Sequence, residues 1–197
     1  MTTSNSESNQ KEWKIASLYQ FVKLKNVANK QKDLQIVCEK NSIFGTLILA
    51  EEGINGTITG SPDSIDVIIS EIKKWPEIKT LEVKYASSTI SNFRRLKIKR
   101  KNEIVTMGQD NVDPEEITGE YVAPKDWNDF VKRDDVLLID ARNEYETMIG
   151  HFEDAIDPHT DTFTEFPDWI TEFIDQNLGD KKIAMYCTGG IRCEKAS

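Results

Sequence analysis

The spacing of apolar positions in the first half of the chain predicts alternating strands and helices. Ile65, Ile68, Ile69 and Ile72 fall at i, i+3, i+4 and i+7, which is one face of a helix. The pattern further predicts a strand from Ile15 to Leu24, a helix over 29–40, β segments over 44–50 and 54–60, and a strand over 78–85. This order of strand, helix, strand, strand, helix, strand predicts a ferredoxin-like α+β sandwich.

The second half follows an acidic segment and has a different pattern. Apolar runs at 136–139 and 183–186 are typical of strands buried on both faces of a parallel sheet. Amphipathic helices near 124–131 and 166–174 separate them, so we predict an α/β domain. The predicted organisation is a disordered tail at 1–12, a ferredoxin-like domain at 13–110 and an α/β domain at 111–197.

Cys187 directly follows the second apolar strand and opens a loop of Thr188, Gly189 and Gly190 that Arg192 closes. The glycines allow backbone N–H groups to turn toward the sulfur, and a guanidinium also favours a thiolate. The loop therefore predicts a reactive cysteine. The alternative is a buried thiol that acts as a small hydrophobic side chain.

Other polar residues near this loop have two interpretations each. Asp140 and Arg142 end the first apolar strand, and they form either a buried ion pair that supports the loop or a proton-transfer pair. Arg192 either binds an anionic group of a substrate or orients the loop. Cys193 is either a resolving thiol for an oxidised Cys187 or a small core residue. No His, Cys and carboxylate residues have zinc-like spacing, so no metal site is predicted.

Charge is distributed unevenly between the two halves, within a net charge of −9. The first 110 residues hold 17 Lys and Arg against 13 Asp and Glu, whereas residues 111–197 hold 8 against 21. The sequence has neither an apolar run of membrane-spanning length nor an N-terminal secretion signal. Three cysteines without a Cys-x-x-Cys pair suit the reducing cytoplasm, which is the predicted location.

A basic tract lies near the end of the first predicted domain. Its six cations are Arg94, Arg95, Lys97, Lys99, Arg100 and Lys101. The alternating Leu96 and Ile98 predict an edge strand with one apolar face. The cations then either bind nucleic-acid phosphates or protect a solvated edge from aggregation.

Three motifs in the second half resemble those of rhodanese-like domains. They are an Asp-x-Arg segment at 140–146, a Gly-His segment at 150–152 and the cysteine loop at 187–192. With the segments at 51–57 and 155–167, the chain after residue 13 is similar to the bacterial rhodanese-related tRNA uridine hydroxylases. The domain at 111–197 is accordingly interpreted as an incomplete rhodanese-like domain, truncated after its loop and therefore weakly active.

The resemblance implies 5-hydroxylation of the wobble uridine of tRNA, with molecular oxygen as co-substrate and no other cofactor evident. It implies that Cys187 is the catalytic nucleophile, that Arg192 acts with it, and that the basic tract contacts tRNA. Two alternatives stay open: a sulfurtransferase that carries a persulfide on Cys187, and a non-catalytic tRNA-binding module. A phosphatase is disfavoured because the loop is Cys-x4-Arg, one residue shorter than the Cys-x5-Arg phosphate cradle.

Overall fold

The structure is a computed structural model that describes residues 12–109 and 111–197. It divides into two compact units, Met1–Ile104 and Val105–Ser197. Apart from Glu12, the predicted tail at 1–12 lies outside the described residues. The second unit begins at Val105 rather than at residue 111, because Val105 and Met107 pack in its core and Lys195 Nζ donates to Val105 O at 3.1 Å.

The first unit is a five-stranded sheet with two helices, which confirms the ferredoxin-like prediction. Its elements are β1 (Trp13–Phe21), α1 (Val27–Lys40), β2 (Phe44–Ala50), β3 (Gly53–Gly60), α2 (Pro62–Lys73), β4 (Glu82–Ser88) and β5 (Leu96–Arg100). The strand order is β4-β1-β3-β2-β5. Only the β2–β5 pair is parallel, and β5 lies at an edge as predicted.

Helix α2 follows its sequence pattern closely. Ser61 Oγ accepts a hydrogen bond from Ser64 N at 3.2 Å, and Pro62 occupies the first turn. The four isoleucines of its predicted apolar face are all buried in the core. Burying each contributes about 1.5–3 kcal/mol relative to exposure, so this face is a main stabilising contact of the unit.

The last predicted strand of this unit begins later than expected. The apolar pattern predicts extended backbone over 78–85, but β4 starts at Glu82. Ile78 lies in a turn after α2, where its N–H donates to Trp75 O at 3.0 Å, and its side chain joins the core from there. Its apolar character therefore reflects burial in a turn.

The second unit contains the predicted parallel strands. Its elements are α3 (Pro124–Val131), β6 (Val136–Asp140), α4 (Glu144–Thr147), α5 (Phe166–Asn177), β7 (Lys182–Tyr186) and α6 (Ile191–Ala196). Strands β6 and β7 pair in parallel, with Asp140 opposite Tyr186. Asp140 therefore ends β6 beside the point where Cys187 follows β7. None of the helices within the described ranges has the length and apolar character needed to cross a bilayer.

Candidate active site

The Cys187 sulfur lies in a loop whose backbone turns toward it. Gly190 N donates a hydrogen bond to Cys187 Sγ at 3.0 Å. Gly190 adopts φ 98°, a conformation that favours glycine over residues with a Cβ atom. A side chain at Gly190 would therefore disturb this backbone donor to the sulfur.

Cys193 is the strongest influence on the ionisation of Cys187. A hydrogen bond between the two side chains lowers the pKa of Cys187 most, against opposing burial. The backbone N–H groups of Cys193 and Gly189 and the charge of Arg192 also lower it, and together these interactions bring the pKa to about 5. The pKa of Cys193 is raised, because its proton is shared with the Cys187 thiolate and its side chain is buried. Cys187 is thus a thiolate at neutral pH and Cys193 is its protonated neighbour.

The position of Cys193 is compatible with both of its predicted roles, a small core residue and a resolving thiol. Its side chain packs against the apolar core of the second unit and also bonds the reactive sulfur. Neither sulfur is in a disulfide bond. The contact places a second thiol where a resolving cysteine would be required, although that role stays a prediction.

Arg192 is held by a carboxylate that the sequence reasoning did not single out. Its Nη1 and Nη2 donate to Glu146 Oε2 and Oε1 at 2.6 and 2.8 Å, and both side chains are mostly buried. The Thr188 hydroxyl also donates to Glu146. Burial would raise the pKa of Glu146, but these donors hold it at about 2. Glu146 therefore joins α4 to both ends of the cysteine loop as a carboxylate that is ionised at neutral pH.

A sequence signal for Glu146 does exist in its spacing from Asn143. Asn143 N donates to Glu146 Oε2 at 3.2 Å, the backbone half of a capping box at the start of α4. The Asn-x-x-Glu spacing indicates a helix start. It does not show that the same carboxylate also binds an arginine 46 residues later.

Asp140 and Arg142 form a buried ion pair, which is one of the two arrangements that the sequence suggests for them. Arg142 Nη2 donates to Asp140 Oδ2 at 2.7 Å, and Asp140 is fully buried. Tyr186 Oη donates to the same oxygen at 2.6 Å, and Arg142 Nη2 also donates to Gly150 O at 2.7 Å. Burial would raise the pKa of Asp140, but Arg142 and Tyr186 hold it below its ordinary value. Asp140 is therefore ionised at neutral pH and has no proton to donate, so its role is to support the loop.

A cavity of about 560 Å³ opens beside the loop. Thr188, Gly189 and Arg192 line one side of it, and Tyr145 and Thr162 lie among the other lining residues. This volume is in the range of small-molecule sites. No group of three or more His, Cys, Asp or Glu residues in the described ranges is arranged to hold a metal ion.

The predicted nucleic-acid residues lie far along the chain from the loop, on β5 and its flanks. Lys97 is half-buried, and Arg94, Arg95, Lys99, Arg100 and Lys101 are exposed. Across residues 12–109 and 111–197, none of the six forms an ion pair with a carboxylate. Their charges are therefore available to an external anion. Binding of nucleic acid stays a prediction at this point.

Substituting Cys193 tests the proposed control of the Cys187 pKa. In Cys193→Ala we expect the pH midpoint of Cys187 alkylation by iodoacetamide to rise by about one to two pH units, because a hydrogen bond to the thiolate is lost. Cys193→Ser keeps a donor and serves as the matched control. Cys38 is an internal reference, because burial raises its pKa to about 12. An unchanged midpoint in Cys193→Ala would rule out this contact as the main influence.

The sequence of this chain is similar to those of several known proteins. Residues 13–104 match the family described as the UPF0176 acylphosphatase like domain. A protein named tRNA uridine(34) hydroxylase from Sinorhizobium medicae is 46% identical over 198 residues, covering 100% of this chain and 62% of the relative. Its namesake from Rhizobium leguminosarum bv. trifolii is 49% identical over 184 residues, covering 93% of this chain and 59% of the relative.

The crystal structure of an acylphosphatase from Bacillus subtilis aligns with a TM-score of 0.36 and 12% identity, covering 44% of this chain and 97% of that protein. The chain spans 62% or less of the length of the curated relatives named above.

Proposed function

We propose that this chain, which is similar to proteins named tRNA uridine(34) hydroxylase, hydroxylates the wobble uridine of tRNA at C5. Cys187 is the nucleophile of the proposed reaction. The single observation that carries the proposal is the hydrogen bond that Gly190 N donates to Cys187 Sγ at 3.0 Å, in a loop where Cys193 and Arg192 lower the pKa of the thiol.

The proposed chemistry begins with addition of the Cys187 thiolate to C6 of uracil. This forms an S–C bond and moves an electron pair toward C5, which then reacts with molecular oxygen. One oxygen atom stays on C5 as the hydroxyl group. The other leaves as water, which takes two electrons and two protons from two reductant thiols that become a disulfide. Loss of the C5 proton with cleavage of the S–C bond then restores Cys187. No further cofactor is proposed.

The residues around the loop have distinct proposed roles. Arg192 is a positioning residue: Glu146 accepts two of its hydrogen bonds and fixes the guanidinium beside Cys187, where its charge lowers the pKa of the thiol. Asp140 and Arg142 support the loop through Tyr186, which immediately precedes Cys187. Thr188, Gly189 and Gly190 set the loop path.

The basic tract is proposed to bind the tRNA backbone. Six cations without carboxylate partners among the described residues lie on one edge strand and its flanks. Contacts of this kind release counterions, so the affinity should fall steeply with salt concentration. The three free thiols suit the reducing cytoplasm, the compartment in which the reaction is proposed to occur.

Nucleoside analysis tests the proposed function. Cells lacking the gene should lose 5-hydroxyuridine from tRNA under aerobic growth, and the gene supplied in trans should restore it. Labelled molecular oxygen should appear in the restored hydroxyl group. An unchanged 5-hydroxyuridine level in a strain with no other enzyme for this modification would contradict the proposal.

Sulfur transfer is the second candidate, because the same thiolate can attack a sulfane sulfur. Cys187 would take sulfur from thiosulfate, releasing sulfite, and would pass it to cyanide as thiocyanate. Rapid formation of thiocyanate that depends on Cys187 would favour this candidate. A product tRNA that gains oxygen and no sulfur favours hydroxylation.

A further inference from the structure

The five-stranded sheet of the first unit has one face that its helices do not cover. Ala16, Leu18, Leu47 and Ile98 point toward the helices and belong to the core. Side chains alternate along a strand, so the residues between them point to the opposite face. Ser17 lies on that opposite face and is exposed, although β1 has β3 and β4 on its two sides.

One row of polar residues crosses this open face from edge to edge. In the strand register, Lys84 is opposite Ser17, Ser17 is opposite Thr57, Thr57 is opposite Thr46, and Thr46 is opposite Lys97. We call these five residues the hydroxyl row. Ser17 Oγ and Thr57 Oγ1 are 2.8 Å apart, which confirms that the two side chains share a face. At the usual spacing between strands, the row spans roughly 19 Å.

The charge of this face favours an anion. The hydroxyl row itself contains no carboxylate and ends in a lysine on each edge strand, although Glu82, opposite Tyr19, places one acidic group on the same face. Lys99, next along the same face of β5, is exposed and adds a third cation. Ser and Thr hydroxyls and lysine ammonium groups are typical donors to phosphate and sugar oxygens of nucleic acids.

Aromatic rings flank the hydroxyl row on both sides. Trp13 and Phe44 contact each other edge to face at 5.9 Å toward one end of the strands. Tyr19 lies toward the other end, where it packs against the buried ring of Phe21 with ring centroids 6.3 Å apart, so Tyr19 is the ring that this end presents. Rings on a sheet face can contact unstacked bases of single-stranded RNA, whereas the bases of a duplex are already stacked.

We infer that the open sheet face binds a single-stranded segment of RNA, with the hydroxyl row on its sugar–phosphate backbone and the flanking rings near its bases. This inference rests on the proposed function and deepens it, because it assigns the recognition of an RNA loop to this face. The basic tract then extends the same surface beyond its β5 edge.

Two serine variants of this chain test the inference. Ser17→Glu places a negative charge in the middle of the hydroxyl row, and Ser70→Glu makes the same change at an exposed position of α2, on the helix-covered side. The probe is a fluorescein-labelled RNA hairpin with an unpaired anticodon-type loop, followed by fluorescence anisotropy. We expect Ser17→Glu to weaken binding roughly tenfold or more, through like-charge repulsion of the phosphates, and Ser70→Glu to leave it within about twofold, since salt screens distant charges.

Folding and specificity controls separate the outcomes. Lys84→Gln, at the far end of the row from the basic tract, should weaken binding without adding an acidic group, and melting curves should show that each variant is folded. Equal effects of the two serine variants, or equal affinity for a fully paired RNA of the same length, would overturn the inference. If the unsubstituted chain binds no RNA, the tRNA contact of the proposed function fails too. Normal hairpin binding by Ser17→Glu overturns the inference alone.

Discussion

Replacing Cys187 by serine should eliminate 5-hydroxyuridine from the tRNA of a deletion strain that carries the variant gene. A serine hydroxyl stays protonated at neutral pH, whereas the pKa of Cys187 is lowered to about 5, so the variant has no nucleophile of comparable strength. We expect the rate of hydroxylation to fall by roughly a thousandfold or more. Mass spectrometry of tRNA nucleosides measures the effect.

Cys193→Ser is the control for this experiment. It makes the same sulfur-to-oxygen change six residues away and leaves the Cys187 thiolate with a donor. It should retain most of the 5-hydroxyuridine that Cys187→Ser loses. Full modification in Cys187→Ser cells would contradict nucleophilic catalysis and would favour a tRNA-binding module without chemistry.

Glu146→Ala should destabilise the second unit by about 3 kcal/mol or more, because it leaves a mostly buried arginine without its carboxylate. A urea denaturation midpoint measures the change. Asp135→Ala is the matched control. It removes the carboxylate of a similar bidentate pair with Arg133, whose side chains are 47% and 46% exposed, and it should have little effect.

The pH dependence and a double variant sharpen the Glu146 test. The folded-state pKa of Glu146 is lowered from 4.5 to about 2, so its contribution is complete above about pH 4.5 and is lost as the pH falls through about 2. Glu146→Ala should lose this acid dependence. Adding Arg192→Met removes the unpaired charge and should recover part of the stability. Equal losses in Glu146→Ala and Asp135→Ala would show that burial of the pair is unimportant.

The sequence predicted those parts of the fold that depend on local periodicity. The isoleucine spacing of α2 matches one face of a helix. The short apolar runs of β6 and β7 match buried strands. The prediction for Ile78 was wrong, because a buried apolar residue in a turn cannot be distinguished by sequence from one in a strand. The predicted end of the first domain, residue 110, differs from the observed end at Ile104 for a related reason. Val105 and Met107 make their core contacts in the folded second unit, and the sequence pattern does not show those contacts.

The candidate site also has a part that adjacent residues predict and a part that depends on the tertiary fold. Cys187 and its glycines lie within one short segment, so their loop could be predicted from adjacent residues. The partner of Arg192 is distant in sequence, and its identity depends on how α4 packs beside the loop. The hydroxyl row depends on the order and register of five strands, and no single strand contains more than one of its residues.

The pH profile of Cys187 alkylation tests the central claim that this loop holds a thiolate at neutral pH. The rate of carbamidomethylation at Cys187, followed by mass spectrometry of the peptide, should reach half its maximum near pH 5 and should be independent of pH above neutrality. A midpoint near the ordinary thiol value of 9.0, or no reaction at neutral pH, would contradict the account.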